Sequence, residues 1–121
     1  MKTILLVDDE FDTLTVWRLL LEGLGYKVVI APNGEEALQL IRESKPDLVI
    51  TDCMMPHMSG PELCAALDAD PALRSIPIIL CSAAMDIPLQ TNPVIEYCRK
   101  PISLDALERI LQRLLGKTGG G

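Results

Sequence analysis

A chain of 121 residues is one domain by length, and with 49% hydrophobic but only 3% aromatic residues its core is aliphatic. The formal net charge of −6 argues against nucleic acid or an anionic membrane as a direct partner. No apolar run nears the roughly 20 residues needed to span a bilayer. Residues 1–7 meet Asp8, Asp9 and Glu10 too early for a secretory leader, so a cytoplasmic protein is expected.

Residues 2–7 form a short continuous apolar run, the signature of a strand buried on both faces. From Phe11 the period changes, and Leu14, Trp17, Leu20, Leu21 and Leu24 fall on one helical face that Gly25 closes. Residues 26–31 read as the second strand. Asn33 then caps a helix with Glu36 three residues on, a capping-box spacing, and Ala37, Leu38 and Ile41 form its buried stripe.

Lys45-Pro46-Asp47 ends that helix and residues 48–51 make the third strand. Ser59-Gly60-Pro61-Glu62 is a second capping box with proline near the helix start, leading into Leu63, Ala66 and Leu67. After the Asp70-Pro71 turn come a fourth strand at 76–81 and a fifth at 94–98. Ser103 caps a last helix striped by Leu104, Leu107, Ile110, Leu111 and Leu114. Strands alternating with amphipathic helices imply βαβ units, a parallel sheet and a three-layer α/β sandwich. Between the fourth and fifth strands the pattern weakens. That stretch carries Pro88 and Pro93 and no helical stripe, so a stunted or displaced helix is expected there.

The cysteines, Cys53, Cys64, Cys81 and Cys98, lack the two-residue spacing of a zinc knuckle, and His57 is the single histidine. Buried, reduced thiols are expected. Cys81 and Cys98 end neighbouring strands, where an incidental bridge is allowed but not expected. Gly116-Lys117-Thr118 has the end of a phosphate-binding loop, but Leu111 stands where its first glycine belongs. Residues 116–121 read instead as a flexible tail.

Ligands of open α/β sheets bind beyond the carboxyl ends of the strands. Five chemistry-bearing residues fall at such ends: Asp8, Asp9, Asp52, Ser82 and Lys100. Singly, each has an ordinary explanation: helix N-terminal charges for Asp8 and Asp9, a turn residue for Asp52, a polar strand end for Ser82, a surface lysine for Lys100. Together they make a different case. Clustered carboxylates repel unless a cation neutralises them, and all-oxygen ligation suits Mg2+. A carboxylate beside that cation is a nucleophile for a phosphoryl group, with a hydroxyl and an ammonium as donors to the equatorial oxygens.

The motifs Leu6-Val7-Asp8-Asp9-Glu10, Pro46-Asp47-Leu48-Val49-Ile50-Thr51-Asp52, Met55-Pro56 with Met58-Ser59-Gly60, Pro77-Ile78-Ile79-Leu80-Cys81-Ser82-Ala83 and Lys100-Pro101 carry a resemblance. Over nearly its whole length the chain resembles a receiver domain of two-component response regulators. The resemblance implies a receiver domain over 1–115, with a flavodoxin-like, five-stranded parallel sheet of order 2-1-3-4-5. It makes Asp52 the phosphoacceptor, served by a phosphohistidine on a sensor histidine kinase or phosphotransfer protein. Asp9, Asp52 and the backbone carbonyl of Met54 would ligate Mg2+, with Asp8 acting through water. Ser82 and Lys100 would contact the phosphoryl oxygens, and Ser82 with Tyr97 would form the switch.

Such a domain is not an enzyme toward other substrates; it catalyses only its own phosphorylation and dephosphorylation. It would act on a downstream protein target or an output domain outside this chain, and a homodimer is an allowed state. The chain departs from the pattern at 84–93, which is short and proline-bearing and points to an atypical fourth helix, and at Ile102, a frequent phenylalanine position. Three other readings compete with it. An aspartyl phosphatase would carry a second aspartate at the Met54 position. A phosphorylation-independent binding module would lack Asp9, Asp52 or Lys100. The chain could also be one domain of a hybrid kinase or longer regulator.

Overall fold

In a computed structural model, residues 1–53, 55, 58–82, 95–99 and 103–116 are described. Five strands and four helices are found among them: β1 (Thr3–Val7), α1 (Phe11–Gly23), β2 (Lys27–Ala31), α2 (Gly34–Ser44), β3 (Leu48–Asp52), α3 (Gly60–Asp68), β4 (Ile78–Ser82), β5 (Ile95–Arg99) and α4 (Leu104–Leu115). The strands form one parallel sheet of order β2-β1-β3-β4-β5. The strand order reverses between β1 and β3, which opens a crevice beyond their carboxyl ends.

Side-chain alternation along the strands divides the core into two layers. Leu5, Val7, Val49, Ile78 and Leu80 face α2 and α3, meeting Ala37, Ile41, Leu63 and Leu67. Ile4, Leu6, Leu48, Ile50 and Ile79 face α1 and α4, meeting Leu14, Leu21, Leu107 and Leu111. Both faces of the sheet are therefore covered, as continuous apolar strands require. The fold is a flavodoxin-like α/β sandwich. The expected irregular helix at 84–93 and the tail from Lys117 onward lie outside the described residues.

The helix starts follow their chemistry. Ser59 and Glu62 form a complete capping box: Ser59 Oγ accepts from the Glu62 amide, and Glu62 Oε1 accepts from the Ser59 amide. Asn33 Oδ1 accepts from the Glu36 amide at 2.9 Å, which is the Asn33 half of the expected box. Ser103 Oγ accepts from the Ala106 amide at 3.1 Å. At the amino edge of the sheet, Asp47 and Thr3 form a two-way clasp. The Asp47 amide donates to the Thr3 carbonyl, and the Thr3 amide donates to Asp47 Oδ2, each at 2.8 Å.

Two expectations need correction. Leu20 is not part of the buried stripe of α1; it is 38% exposed. At 100° per residue it stands at the margin of the face that Leu14, Trp17, Leu21 and Leu24 define. Phe11, Val16 and Leu19 of the same helix are exposed as well. The fourth strand also starts later, and the fourth and fifth strands end later, than the apolar pattern predicts. Ile76 belongs to the turn before Pro77, and the ladder runs on to pair Ser82 with Arg99.

Gly60 fixes the distance between α3 and the end of β3. A Cβ added there would lie 2.5 Å from the Asp52 carbonyl oxygen and 2.6 Å from Leu80 Cδ1. The Gly60 amide donates to the Cys53 carbonyl at 3.0 Å, so the helix cannot back away without losing that bond. Gly60→Ala is expected to lower unfolding free energy by roughly 1–3 kcal/mol, as overpacking does. Urea denaturation measures it; an unchanged midpoint would show that α3 shifts freely.

Candidate functional site

The site begins where β1 and β3 run out. Asp8 follows β1, and its amide still donates to the Ala31 carbonyl of β2 at 3.2 Å, so the ladder holds its backbone. Its Oδ1 accepts from the Glu10 amide at 3.0 Å, an Asx turn that starts the chain toward α1. Asp8 is buried, Asp9 is exposed and Asp52 is half-buried. Asp52 is the last residue of β3 rather than the first beyond it, because the ladder pairs it with Cys81. The Cys53 amide extends the same ladder by donating to the Cys81 carbonyl at 2.9 Å.

Three carboxylates converge there. One oxygen from each of Asp8, Asp9 and Asp52 can be chosen so that all lie within 4.8 Å of one another. Like charges at that spacing oppose one another, and burial of Asp8 strengthens the opposition by lowering the local dielectric. A hard cation with oxygen ligands removes the conflict, and the donor set is all carboxylate oxygen. The residues present thus fit Mg2+.

Ser82 closes β4 one residue beyond the Asp52–Cys81 pair, and Tyr97 stands opposite Leu80 within β5. Lys100 directly follows β5 in the chain but lies, with Met54, outside the described residues. Three supporting residues have contacts at the site that the sequence did not reveal. Thr51, 1% exposed, donates its hydroxyl to the Asp52 carbonyl at 3.1 Å and also approaches Met55 Sδ at 3.9 Å. Gly34 presses α2 against the connection after β3, where an added Cβ would meet the Met58 carbonyl oxygen at 2.7 Å. Gly60, described above, seats α3 on the backbone of Asp52. The signals were present, as glycines at the first position of two capped helices, but a helix-start glycine has no specific meaning until its neighbour is known.

A doubly wound parallel sheet with an acidic, oxygen-only cluster at its switch point defines a class of domains that handle phosphoryl groups and hard cations. The chain belongs to the response regulator receiver domain family, whose model matches residues 4–112. It is a phosphoacceptor domain of two-component signalling. It is 34% identical over 119 residues to the polar-differentiation response regulator DivK of Brucella anthropi, covering 95% of this chain and 97% of that protein. Two solved structures superpose closely. The receiver domain of the sensor histidine kinase PA1611 from Pseudomonas aeruginosa, with a magnesium ion coordinated in its active-site cleft, has a TM-score of 0.84 at 30% identity. The match covers 96% of this chain and 98% of that one. The response regulator TrrA from Thermotoga maritima, in complex with Mg2+-BeF, has a TM-score of 0.85 at 33% identity, over 95% and 100% of the two chains.

Repulsion within the cluster is measurable. In the presence of a chelator, Asp9→Asn is expected to raise the melting temperature, because one of three opposed charges is gone. With Mg2+ at a hundredfold excess over its dissociation constant, the unsubstituted protein should gain about 2.7 kcal/mol and Asp9→Asn far less. Thermal melts with chelator and with Mg2+ report both; equal Mg2+ gains in the two proteins would remove Asp9 from the cation site.

Proposed function

We propose that Asp52 is the phosphoacceptor and that its neighbours divide the remaining work. A carboxylate oxygen of Asp52 attacks the phosphorus of a phosphohistidine on a sensor histidine kinase or phosphotransfer protein. The phosphorus–nitrogen bond breaks, the imidazole leaves, and an acyl phosphate remains on Asp52. Asp9, Asp52 and the Met54 carbonyl would hold Mg2+, with Asp8 acting through water. The cation supplies charge neutralisation, which lets an anionic nucleophile approach an anionic phosphoryl group. Ser82 and Lys100 donate to the phosphoryl oxygens as charge builds on them. The domain so read promotes only its own phosphorylation and dephosphorylation.

The observation that carries this reading is the convergence of Asp8, Asp9 and Asp52 within 4.8 Å at the switch point of the sheet. The Mg2+ held by the PA1611 receiver domain and the Mg2+-BeF held by TrrA support it by similarity. A phosphatase reading is weaker, because Met54 stands where that chemistry needs a general acid. A phosphorylation-independent binding module would not need the full acidic set together with Lys100.

The output follows from the same site. Ser82 moves toward the phosphoryl group, Tyr97 follows, and the surface of β4 and β5 changes for a downstream protein or an output domain. A cytoplasmic location is proposed with it; no described helix is long and apolar enough to cross a membrane. The domain is taken as residues 1–115, with 116–121 a tail, and self-association on phosphorylation belongs to the same proposal.

Incubation with Mg2+ and a small acyl phosphate, read by intact mass, tests the assignment. A gain of one phosphate is expected, lost in Asp52→Asn. Labelling that survives Asp52→Asn, or none at any donor concentration, would overturn it.

The lifetime of the phosphoform provides a second test. Met54 is apolar and cannot orient an attacking water, so the acyl phosphate is expected to be long-lived. Met54→Asn should speed its hydrolysis several-fold in a phosphate-release assay. Equal or faster loss from the unsubstituted protein would refute the role given to Met54.

A further inference from the structure

The four cysteines divide between the two faces of the sheet. Cys53 and Cys64 are buried in the layer under α2 and α3, and Cys81 and Cys98 in the layer under α1 and α4. Within the second layer the two thiols belong to adjacent strands at the same register, for Cys81 pairs with Cys98 across the β4–β5 ladder. Register partners in a parallel pair point to the same side of the sheet, and neighbouring strands run about 4.8 Å apart. A disulfide accepts Cα separations of roughly 4.4–6.8 Å and needs Cβ atoms roughly 3.5–4.5 Å apart. The first condition is met by the ladder itself. The second needs only a small approach of β5, whose one neighbour among the described strands is β4.

We propose that Cys81 and Cys98 form a peroxide-oxidisable dithiol whose reversible bridge staples β4 to β5 beside the phosphoacceptor. The oxidant is a hydroperoxide, small enough to reach side chains 6% and 7% exposed near the carboxyl edge of the sheet. One sulfur attacks the peroxide oxygen, the O–O bond breaks, and a sulfenic acid and one water form. The second sulfur attacks the first, displacing a second water. Two thiols and one hydrogen peroxide thus give one disulfide and two waters; sulfur is oxidised by two electrons and peroxide oxygen is reduced.

The other pair lies in the opposite layer of the sheet. Burial, then the neighbouring Cys53, pushes the Cys64 thiol up to about 11, so the reactive thiolate is scarce. Cys64 also rides on α3, one turn past Gly60, and that helix is seated on Asp52 with no room to approach further.

The position of the staple gives it a consequence. Asp52, Cys81 and Cys98 form one lateral row across β3, β4 and β5. The next row of the β4–β5 ladder is Ser82 opposite Arg99, and the row before it holds Tyr97. A covalent bond between these rows ties the two strands whose displacement is needed to answer a phosphoryl group. The bridge itself is independent of the proposed function, while its effect on phosphorylation rests on that reading.

Two measurements separate the parts. Reduced protein is treated with hydrogen peroxide and analysed by intact mass and non-reducing peptide mapping. The expected result is loss of two hydrogens, a Cys81–Cys98 cross-linked peptide, and full reversal by dithiothreitol. Cys98→Ser abolishes the cross-link and the double variant Cys53→Ser, Cys64→Ser retains it; the mapping of unsubstituted protein stands even where a variant fails to fold. A Cys53–Cys64 cross-link, an intermolecular dimer, oxygen addition alone or no reaction would each overturn the proposal. Bridged and reduced protein are then phosphorylated with Mg2+ and a small acyl phosphate, and the bridged form is expected to react several-fold more slowly. Equal rates would overturn the regulatory effect, whereas failure of the reduced form to react counts against the proposed function and leaves the bridge standing.

Discussion

Carboxylate repulsion at the end of β1 and β3 is the constraint that the rest of the molecule serves. Three acidic groups within 4.8 Å would spread apart if the backbone allowed it. Asp8 is held by the ladder to Ala31 and by its own Asx turn, and Asp52 by its pairing with Cys81. Behind Asp52, the Gly60 contact and the Thr51 hydroxyl bond fix the carbonyl from two sides. Most of these restraints act on the backbone, and among them the Asx turn alone engages a site carboxylate, through one oxygen of Asp8. Stored repulsion of this kind is relieved by a cation, which makes metal affinity a property of the framework as much as of the ligands.

The helices act at their ends. α2 and α3 both begin with a glycine in close contact, Gly34 on Met58 and Gly60 on Asp52, and both are capped one residue earlier, by Asn33 and Ser59. The caps set where each helix starts, and the glycines let that start approach the backbone of the segment between β3 and α3. Met58 thus meets the start of α2, and Cys53 the start of α3.

Much of this was legible in the amino-acid sequence, for physical reasons that differ by element. Continuous apolar runs ending in Asp8 and Asp52 mark strands covered on both faces, and their order with the helices implies a parallel sheet. Polar strand ends are costly enough to bury that four of them in order point to a site. The limits were equally physical. The periodicity of α1 placed Leu20 with Leu21, yet the two differ by 100° around the axis and only one face is covered. Strand ends were misplaced by a residue or two because hydrogen bonding, not hydropathy, terminates a ladder, and Ser82 and Arg99 pair despite their polarity. Gly34 and Gly60 were unreadable because their meaning lies in contacts with residues far along the chain.

The order β2-β1-β3-β4-β5 also bears on how such a chain is made. The first of the five strands to leave the ribosome has a neighbour on each side in the finished sheet. β2 then docks on one flank, and β3, β4 and β5 add successively to the other, each on an edge already in place. No gap waits for a late strand to be inserted between two earlier ones. Vectorial synthesis and sheet growth can therefore advance in step, which keeps apolar edges exposed only briefly in a chain whose core is almost wholly aliphatic.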